Sequence, residues 1–324
     1  MASNFSYWLL GLTLAASLGA AERAQADDVP SLKGRRIGIT VVGTEHYWDL
    51  RAYQGQIDEV KRLGGVAIAL DAGRNDSRQI SQIQTLIAQK PDAIVEQLGN
   101  GPVLQPWLRK IRGAGIPLFT VDTISPSSIN DTTSDNYGIG EKLALQLASD
   151  IHGRGNILVF NGFYSVPVCA IRYDELKLVL KAFPDIHIIQ PELRDVIPNT
   201  VQNAYSQVTD MLQKYPNKGQ IAAVWSAWDV PQVGATQAII AAHRPEVRTY
   251  GVDGSPDVVK MVADPTSPAA AVAAQQPYLI GKTAIDNVAR YLAGNHDLPP
   301  YTFVPSILVN KENAKTAGSQ LGQS

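Results

Sequence analysis

From Arg36 onward, short apolar runs alternate with stretches of helical period, and no other feature restricts the possible folds as strongly. In the first part of the chain, strands are predicted over 36–42, 66–70, 93–95 and 118–121. Helices are predicted between them over 53–63, 77–89 and 103–112. Because each helix connects two strands, the strands are expected to run parallel in a sheet that helices cover on both faces.

The same alternation then restarts. Helices are predicted over 138–151, 170–183, 201–214, 233–242, 256–263 and 280–292. Strands are predicted over 156–160, 186–189, 222–225, 249–252 and 270–274, followed by one last strand over 302–309. A stretch rich in Ser, Thr, Asn and Asp, 125–136, separates the two halves and is predicted to be a crossing point. The chain is therefore predicted to be an α/β protein with two doubly wound parallel-sheet units.

Length and composition agree with this organisation and exclude several function classes. A chain of 324 residues can bury two separate cores. The formal net charge of -2 argues against nucleic-acid binding, which requires a basic surface. A single cysteine, Cys169, excludes an internal disulfide framework, and we expect it to be a small buried apolar residue.

The N-terminus has the features of a secretory signal peptide. An apolar run from Tyr7 to Ala16 is followed by small residues and by the cleavage motif Ala24-Gln25-Ala26. This predicts a signal peptide over residues 1–26, a mature chain that begins at Asp27, and export to the periplasm. An uncleaved membrane anchor is the alternative, because no Lys or Arg precedes the apolar run.

Polar and aromatic side chains follow the carboxyl ends of the predicted strands, where parallel α/β sheets bind ligands. Carboxylates, amides and aromatic rings together suit a polyhydroxylated ligand, because they accept from hydroxyls, bridge them and cover apolar C–H faces. No catalyst is needed to explain such a set. The candidate ligand contacts at these strand ends are Tyr47, Trp48, Asp49, Gln97, Asp122, Trp228, Asp253 and Gln275.

Each of these candidates has a structural alternative. Asp122 and Asp253 could terminate strands and cap turns, and the two tryptophans could be core residues. Gln275 follows an alanine-rich strand, where a buried amide requires hydrogen-bond partners.

Motifs of catalysis and cofactor binding are missing or incomplete. There is no G-x-S-x-G elbow and no phosphate-binding P-loop, and Gly138-Ile139-Gly140 lacks a third glycine. The five histidines show no zinc-binding spacing. We therefore predict no catalytic residue, no cofactor and no metal. Glu45, His46 and Asp49 remain as an alternative metal or acid–base group.

Several ordered motifs resemble those of periplasmic sugar-binding proteins of the ribose-binding, type I class, which serve ATP-driven importers. The resemblance extends from about residue 35 to residue 310. The motifs that carry it are Ile37–Val42 with Tyr47-Trp48 and Gly55, Ile116-Pro117 with Asp122, Ser134-Asp135-Asn136, the segment 250–256 and the segment 274–281.

The resemblance implies two lobes joined by a three-strand hinge, with the ligand enclosed between them. It assigns residues 35–133 and 276–302 to the N-terminal lobe and residues 134–275 and 303–316 to the C-terminal lobe. By position, Trp48 would stack on the sugar, Asp122 would accept from its hydroxyls, and Asp253 and Gln275 would add polar contacts. It also adds Arg172 as a ligand contact; the alternative for this residue is a solvated ion pair with Asp174 or Glu175.

This chain departs from the class at three places. Thr123 stands where an arginine is usual, Trp228 where an asparagine is usual, and Glu45-His46 replaces small polar residues. These changes leave the cleft with one donor fewer and one aromatic face more. A pentose or hexose fits such a cleft, and so does a deoxy sugar, a polyol or a ligand less polar than ribose.

The function that the resemblance implies is transport. The expected protein is a monomer that delivers a small sugar or polyol to the permease subunits of an ABC importer. The alternative is a periplasmic sensor that signals to a membrane histidine kinase. An enzyme that uses Glu45, His46 and Asp49 is a third possibility.

Overall fold

A computed structural model describes residues 29–161 and 166–321 of the chain. The predicted signal peptide, 1–26, lies outside the described residues. Two six-stranded sheets, each covered by helices, account for the fold. In the described ranges, no helix combines the length and the apolarity needed to cross a bilayer.

The first sheet and its helices form what we call the first lobe. Its strands are β1 (Arg36–Val41), β2 (Val66–Asp71), β3 (Ala93–Gln97), β4 (Leu118–Val121), β5 (Asp131–Ser134) and β11 (Tyr301–Val304). Its helices are α1 (Tyr47–Arg62), α2 (Asp76–Gln89), α3 (Gly101–Gly113) and α9 (Pro277–Leu292). The strand order is β11-β5-β4-β3-β1-β2, and every described pair is parallel.

The second lobe repeats this plan. Its strands are β6 (Arg154–Phe160), β7 (Asp185–Ile188), β8 (Ala223–Ser226), β9 (Arg248–Asp253), β10 (Ala269–Ala274) and β12 (Ile307–Asn310). Its helices are α4 (Asn136–Asp150), α5 (Pro167–Leu180), α6 (Thr200–Lys214), α7 (Asp229–Ala241), α8 (Pro256–Ala263) and α10 (Ala314–Gln320). The order is β12-β10-β9-β8-β6-β7, with only the β10–β12 pair antiparallel among the described pairs of this sheet.

Burial explains why the strands are so apolar. All residues of β1 after Arg36 are buried, and β10, with the sequence AAAVAA, is buried throughout. Helices on both faces of a sheet leave no solvated side, so the strands read as continuous apolar runs. The helices that cover them bury one stripe each; α2, for example, buries Ile83 and Leu86.

The chain passes between the lobes three times: from β5 to α4, from β10 to α9, and from β11 to β12. The prediction of one last strand over 302–309 is wrong, because Pro305-Ser306 interrupts it and the two halves join different sheets. Proline has no N–H group for the strand ladder. The lobe boundary predicted after residue 302 falls inside β11, which extends to Val304. The division of the chain into lobes stays a prediction.

The strand β5 was not predicted, because the polar stretch 125–136 carries no apolar period. All four of its residues are buried, and the side chains of Asp131, Thr132 and Thr133 form hydrogen bonds with residues outside the strand. The Thr132 hydroxyl donates to Asn130 Oδ1 over 2.9 Å, and Asn287 Nδ2 on α9 donates to the same oxygen over 3.1 Å.

Helices α1 and α9 pack with their backbones in near contact. A Cβ at Gly55 would lie 2.2 Å from the Tyr278 carbonyl oxygen, and one at Gly281 would lie 1.9 Å from that of Ala52. Only glycine permits this approach. The contact fixes the start of α1 beside the second crossing of the chain.

Candidate ligand-binding cleft

A cavity lies between the lobes, at the carboxyl ends of the strands. Its free space amounts to about 430 Å³, part of which is open to solvent. The first lobe contributes His46, Trp48, Asp49, Arg74, Leu98 and Asp122 to its lining. The second lobe contributes Val166, Val168, Cys169, Arg172, Trp228 and Asp253.

Left-handed backbone conformations occur where three strands meet the cavity. Leu98 follows β3 with φ 52°, Asp122 follows β4 with φ 53°, and Asp253 ends β9 with φ 95°. Residues other than glycine adopt positive φ rarely, and such residues cluster at functional sites. Here the conformation turns the chain sharply at the strand end.

The first turn of α1 supplies the wall of the first lobe. Trp48 and Asp49 are both buried, and the Asp49 carboxylate accepts a hydrogen bond from the Arg74 guanidinium. Gln97 lies beneath this turn and not in the lining: its amide donates to the Asp49 carbonyl oxygen over 2.9 Å and accepts from Gln56. Gln97 therefore holds α1 on β3.

Asp122 is buried at the floor of the cavity, where its carboxylate accepts a hydrogen bond from the Thr133 hydroxyl. Burial raises the pKa of Asp122 to about 6, although the Arg172 charge and the Thr133 hydrogen bond act in the opposite direction.

Arg172 is 2% exposed, so the alternative of a solvated ion pair is wrong. Its Nε donates to Asn136 Oδ1 over 2.8 Å, and its Nη1 donates to the Ala227 carbonyl oxygen over 2.9 Å. Nη1 also lies 3.5 Å from Asp253 Oδ1. Asp174 instead pairs with Lys177, 2.7 Å away.

Gln275 links the two lobes at the second crossing. The Trp48 indole donates to Gln275 Oε1 over 3.1 Å, and Gln275 Nε2 donates to Asp253 Oδ1 over 3.1 Å. The buried amide of this residue therefore has the partners that its alanine-rich surroundings required. Gln275 lies behind the lining residues and orients the Trp48 ring and the Asp253 carboxylate.

His46 makes the most contacts across the cleft. Its Nε2 lies 3.2 Å from Asp229 Oδ1 and 3.8 Å from Asp253 Oδ2, and its Nδ1 lies 3.9 Å from Asp49 Oδ1. Burial alone would lower its pKa, but the hydrogen bonds and charges of Asp229 and Asp49 raise it to about 10. His46 is thus a cation at neutral pH. Its ring meets that of Trp228 edge to face, with centroids 5.2 Å apart.

A metal could be held by one group of described side chains. Ligand atoms of His46, Asp229 and Asp253 lie within 4.8 Å of one another. The proton on His46 opposes this role, because an imidazolium has no lone pair for a metal. Glu45 belongs to the alternative metal or acid–base group predicted from the sequence. Its Oε2 lies 3.6 Å from Arg74 Nε.

The lining shows no activated nucleophile among the described residues. Burial raises the pKa of the Cys169 thiol to about 12, which keeps it protonated and unreactive. The charged groups compensate one another: the cations of His46, Arg74 and Arg172 face the carboxylates. Such a cleft suits an uncharged ligand with many hydroxyl groups.

The structure brings most of the predicted site residues together. Trp48, Asp49, Asp122, Arg172, Trp228 and Asp253 line the cavity, and Gln275 supports it. Tyr47 instead lines a neighbouring outer groove. The prediction omitted Arg74, although it follows β2 at the same sheet edge, and it omitted Asp229 next to Trp228.

Two α/β lobes, with a cavity between them that charged, aromatic and aliphatic side chains line, define the class of two-lobed solute-binding proteins. The chain belongs to the periplasmic binding protein family: the profile of the periplasmic binding protein domain matches residues 37–296. This family consists of substrate-binding proteins of ABC transporters and not of enzymes. The predicted family, the fold class and the expectation of a non-enzyme are confirmed.

Solved structures and characterised relatives resemble the chain closely. An ABC sugar transporter subunit from Rhodobacter sphaeroides is 69% identical, with a TM-score of 0.86, and covers 87% of this chain and 100% of that one. An ABC transporter solute-binding protein from Agrobacterium vitis, crystallised with bound allitol, is 60% identical, with a TM-score of 0.88 and coverages of 90% and 100%. The xylitol-binding protein of Mycolicibacterium smegmatis is 26% identical and covers 78% of this chain and 69% of that relative.

Proposed function

We propose that this chain encloses a small sugar or polyol between its lobes and delivers it to the permease subunits of an ABC importer. The observation that carries the proposal is the cavity itself. Its lining combines the carboxylates of Asp122 and Asp253, the Arg172 guanidinium and the Trp48 ring, and it draws on both lobes. Closing on a ligand therefore adds contacts from both sides at once.

A polyol is the ligand class that the cleft favours. Carboxylates accept from hydroxyls, Arg172 donates to them, and tryptophan covers C–H groups. Thr123 in place of an arginine removes one donor, and Trp228 adds an aromatic surface. The relative that binds allitol, at 60% identity, supports an acyclic polyol with six carbons.

Ligand-dependent thermal stabilisation tests this assignment. The mature protein would be heated with allitol, xylitol, ribose or galactose, and titrated calorimetrically with any compound that raises its melting temperature. A ligand at a hundred times its Kd stabilises the folded state by about 2.7 kcal/mol. Failure of every sugar and polyol in a broad panel to shift the transition would refute the ligand class.

The transport role and the export route belong to the same proposal. We infer that residues 1–26 are cleaved as a signal peptide and that the mature chain works as a monomer in the periplasm. Mass spectrometry of the periplasmic fraction should give a chain that begins at Asp27. Affinity capture in the host should recover permease subunits, and recovery of a membrane histidine kinase in their place would favour the sensor alternative.

A further inference from the structure

The enclosed cavity is separated from the outer groove by three side chains. His46, Arg74 and Trp228 line both spaces, whereas the other lining residues of the cavity do not line the groove. We call these three residues the dividing wall. A ligand that leaves the cavity toward the groove must displace at least one of them.

The wall is joined across the cleft by ionic contacts. His46 precedes α1 in the first lobe, and its partner Asp229 is the first residue of α7 in the second lobe. The two side chains meet at 3.2 Å. Asp229 is held from behind, because its Oδ2 accepts a hydrogen bond from the Ser255 backbone N–H over 2.8 Å. The pair is therefore positioned by both lobes and exists only when they are closed.

We propose that the His46–Asp229 ion pair stabilises the closed form of the protein and slows the exit of bound ligand through the dividing wall. His46 acts in this proposal as a positioning residue, since it sets the state of the lobes through Asp229. The identity of the ligand in this inference rests on the proposed function. The effect of the ion pair on closure does not depend on a ligand.

Several charged groups surround His46, and each affects this balance. Asp49 faces it from α1, Asp229 from α7 and Asp253 from β9. Arg74 contacts Asp49 and Glu45, and Arg172 contacts Asp253, so both arginines compete for the carboxylates that surround the imidazole. The His46 side chain is only 10% exposed, and solvent therefore screens these charges weakly.

The direction of the pH effect follows from the charge on His46. Separating the lobes would remove Asp229 from His46, which should return the pKa of His46 from about 10 toward its ordinary value of 6.5. The charge on His46 therefore stabilises the closed form fully below about pH 6.5. This stabilisation is lost progressively as the pH rises toward 10.

The test compares His46→Gln and Asp229→Asn with a matched control, His187→Gln, which changes an exposed histidine on β7. Small-angle X-ray scattering of the ligand-free proteins reports closure. Stopped-flow fluorescence with allitol as the probe reports its dissociation rate at pH 7.5 and at pH 10.5. Both cleft variants retain a polar side chain of similar size, so they remove charge with little change in packing.

We expect both cleft variants to be more open than the wild type and to release allitol about tenfold faster at pH 7.5. The wild-type rate should approach that of His46→Gln at pH 10.5, while His46→Gln itself should change little between the two pH values. The control should match the wild type. Unchanged scattering and dissociation in both variants, or an undiminished pH response in His46→Gln, would overturn the proposal.

Failure of the proposed function gives a different result. If allitol and the other probes of the panel do not bind the wild type, the ligand assignment is wrong, but the scattering comparison still tests the ion pair. Closure that is equal in the wild type and the variants then refutes the inference by itself.

Discussion

Buried carboxyl groups occur both in the cleft and inside the first lobe. In the cleft, Asp49, Asp229 and Asp253 have Arg74, His46 and Arg172 beside them. Inside the lobe, Glu96 on β3 and Asp131 on β5 have hydroxyl, amide and backbone partners, and no ion pair is found for either in the described ranges.

Burial raises pKa values in both groups, but the charges beside them act in different directions. Burial raises the pKa of Glu96 well above its usual value, and the charge of Asp131 adds to the effect. Burial and the Asp122 charge raise the pKa of Asp131 to about 7. In the cleft, burial also raises the pKa of Asp253 to about 7, but Arg172 and His46 favour its ionised form.

The two groups therefore differ in the charges that lie beside them. A carboxylate with a cation beside it is helped to stay ionised in a dry site and to accept hydrogen bonds from a ligand. A carboxyl group without a cation has no neighbouring charge that offsets its burial, which favours the protonated form. Neighbouring cations distinguish the acids that we assign to ligand binding from those that we assign to the core.

The largest expected effect is that of Asp253→Ala on ligand binding. The change removes charge-assisted hydrogen bonds and should weaken binding by about 100-fold or more. Isothermal titration with the best ligand of the panel measures the loss. Arg172 keeps Asn136 and the Ala227 carbonyl oxygen as partners, so the variant should remain folded. Wild-type affinity in a folded Asp253→Ala protein would disprove the assigned site.

Next in size is the pH dependence of stability that Asp131 causes. Its pKa rises from 3.8 to about 7 on folding, so its contribution to stability is present below about pH 3.8 and is lost as the pH rises to 7. Asp131→Asn should therefore be more stable than the wild type by about 2–4 kcal/mol at pH 8 and nearly equal to it at pH 4. Urea unfolding at the two pH values measures the difference, and a variant less stable than the wild type at pH 8 would contradict the explanation.

A smaller effect is expected for Trp48→Phe. The ring is kept, but the hydrogen bond from the indole to Gln275 is lost, and the amide oxygen is left without that donor. Ligand affinity should fall about fivefold, which corresponds to about 1 kcal/mol. The control is Trp107→Phe, which changes a partly buried tryptophan on α3 outside the cleft. Calorimetry of both variants separates the loss of the indole hydrogen bond from the loss of a tryptophan in general. Equal affinities of both variants would remove Trp48 from the site.

The smallest effect on binding is predicted for Glu96→Gln. The protonated acid and the amide have the same shape, and the residue lies outside the cavity lining. Ligand affinity should match that of the wild type within twofold. A large loss of affinity would show that Glu96 contributes to ligand binding.

Most helices and strands could be predicted from the sequence, because their apolar residues recur with the spacing typical of a helix or a buried strand. The helix over 256–263 has the predicted bounds. By contrast, α1 begins at Tyr47, well before its predicted start at 53, because the polar and aromatic residues of its first turn face the cleft. The strand β5 was not predicted, since a strand of Asp, Thr and Ser has no apolar signal.

The site was predicted less completely for a different reason. The strand-end rule finds residues one at a time, but the pairs that define their chemistry are distant in the chain. His46 and Asp229 are separated by 183 positions, and Trp48 and Gln275 by 227. Nothing local to either residue shows the partner, so the charge on His46 and the burial of Arg172 became visible only in the folded chain.

The packing of α9 against α1 has a consequence for the order of events during synthesis. The first lobe contains the earliest strands of the chain, yet its edge strand β11 and its helix α9 are made after the whole of β6–β10. The glycine contact between α1 and α9 cannot form before residue 281 has left the ribosome. The leader that we propose for residues 1–26 would leave the ribosome long before that moment, so export through a membrane channel would begin before the first lobe can fold.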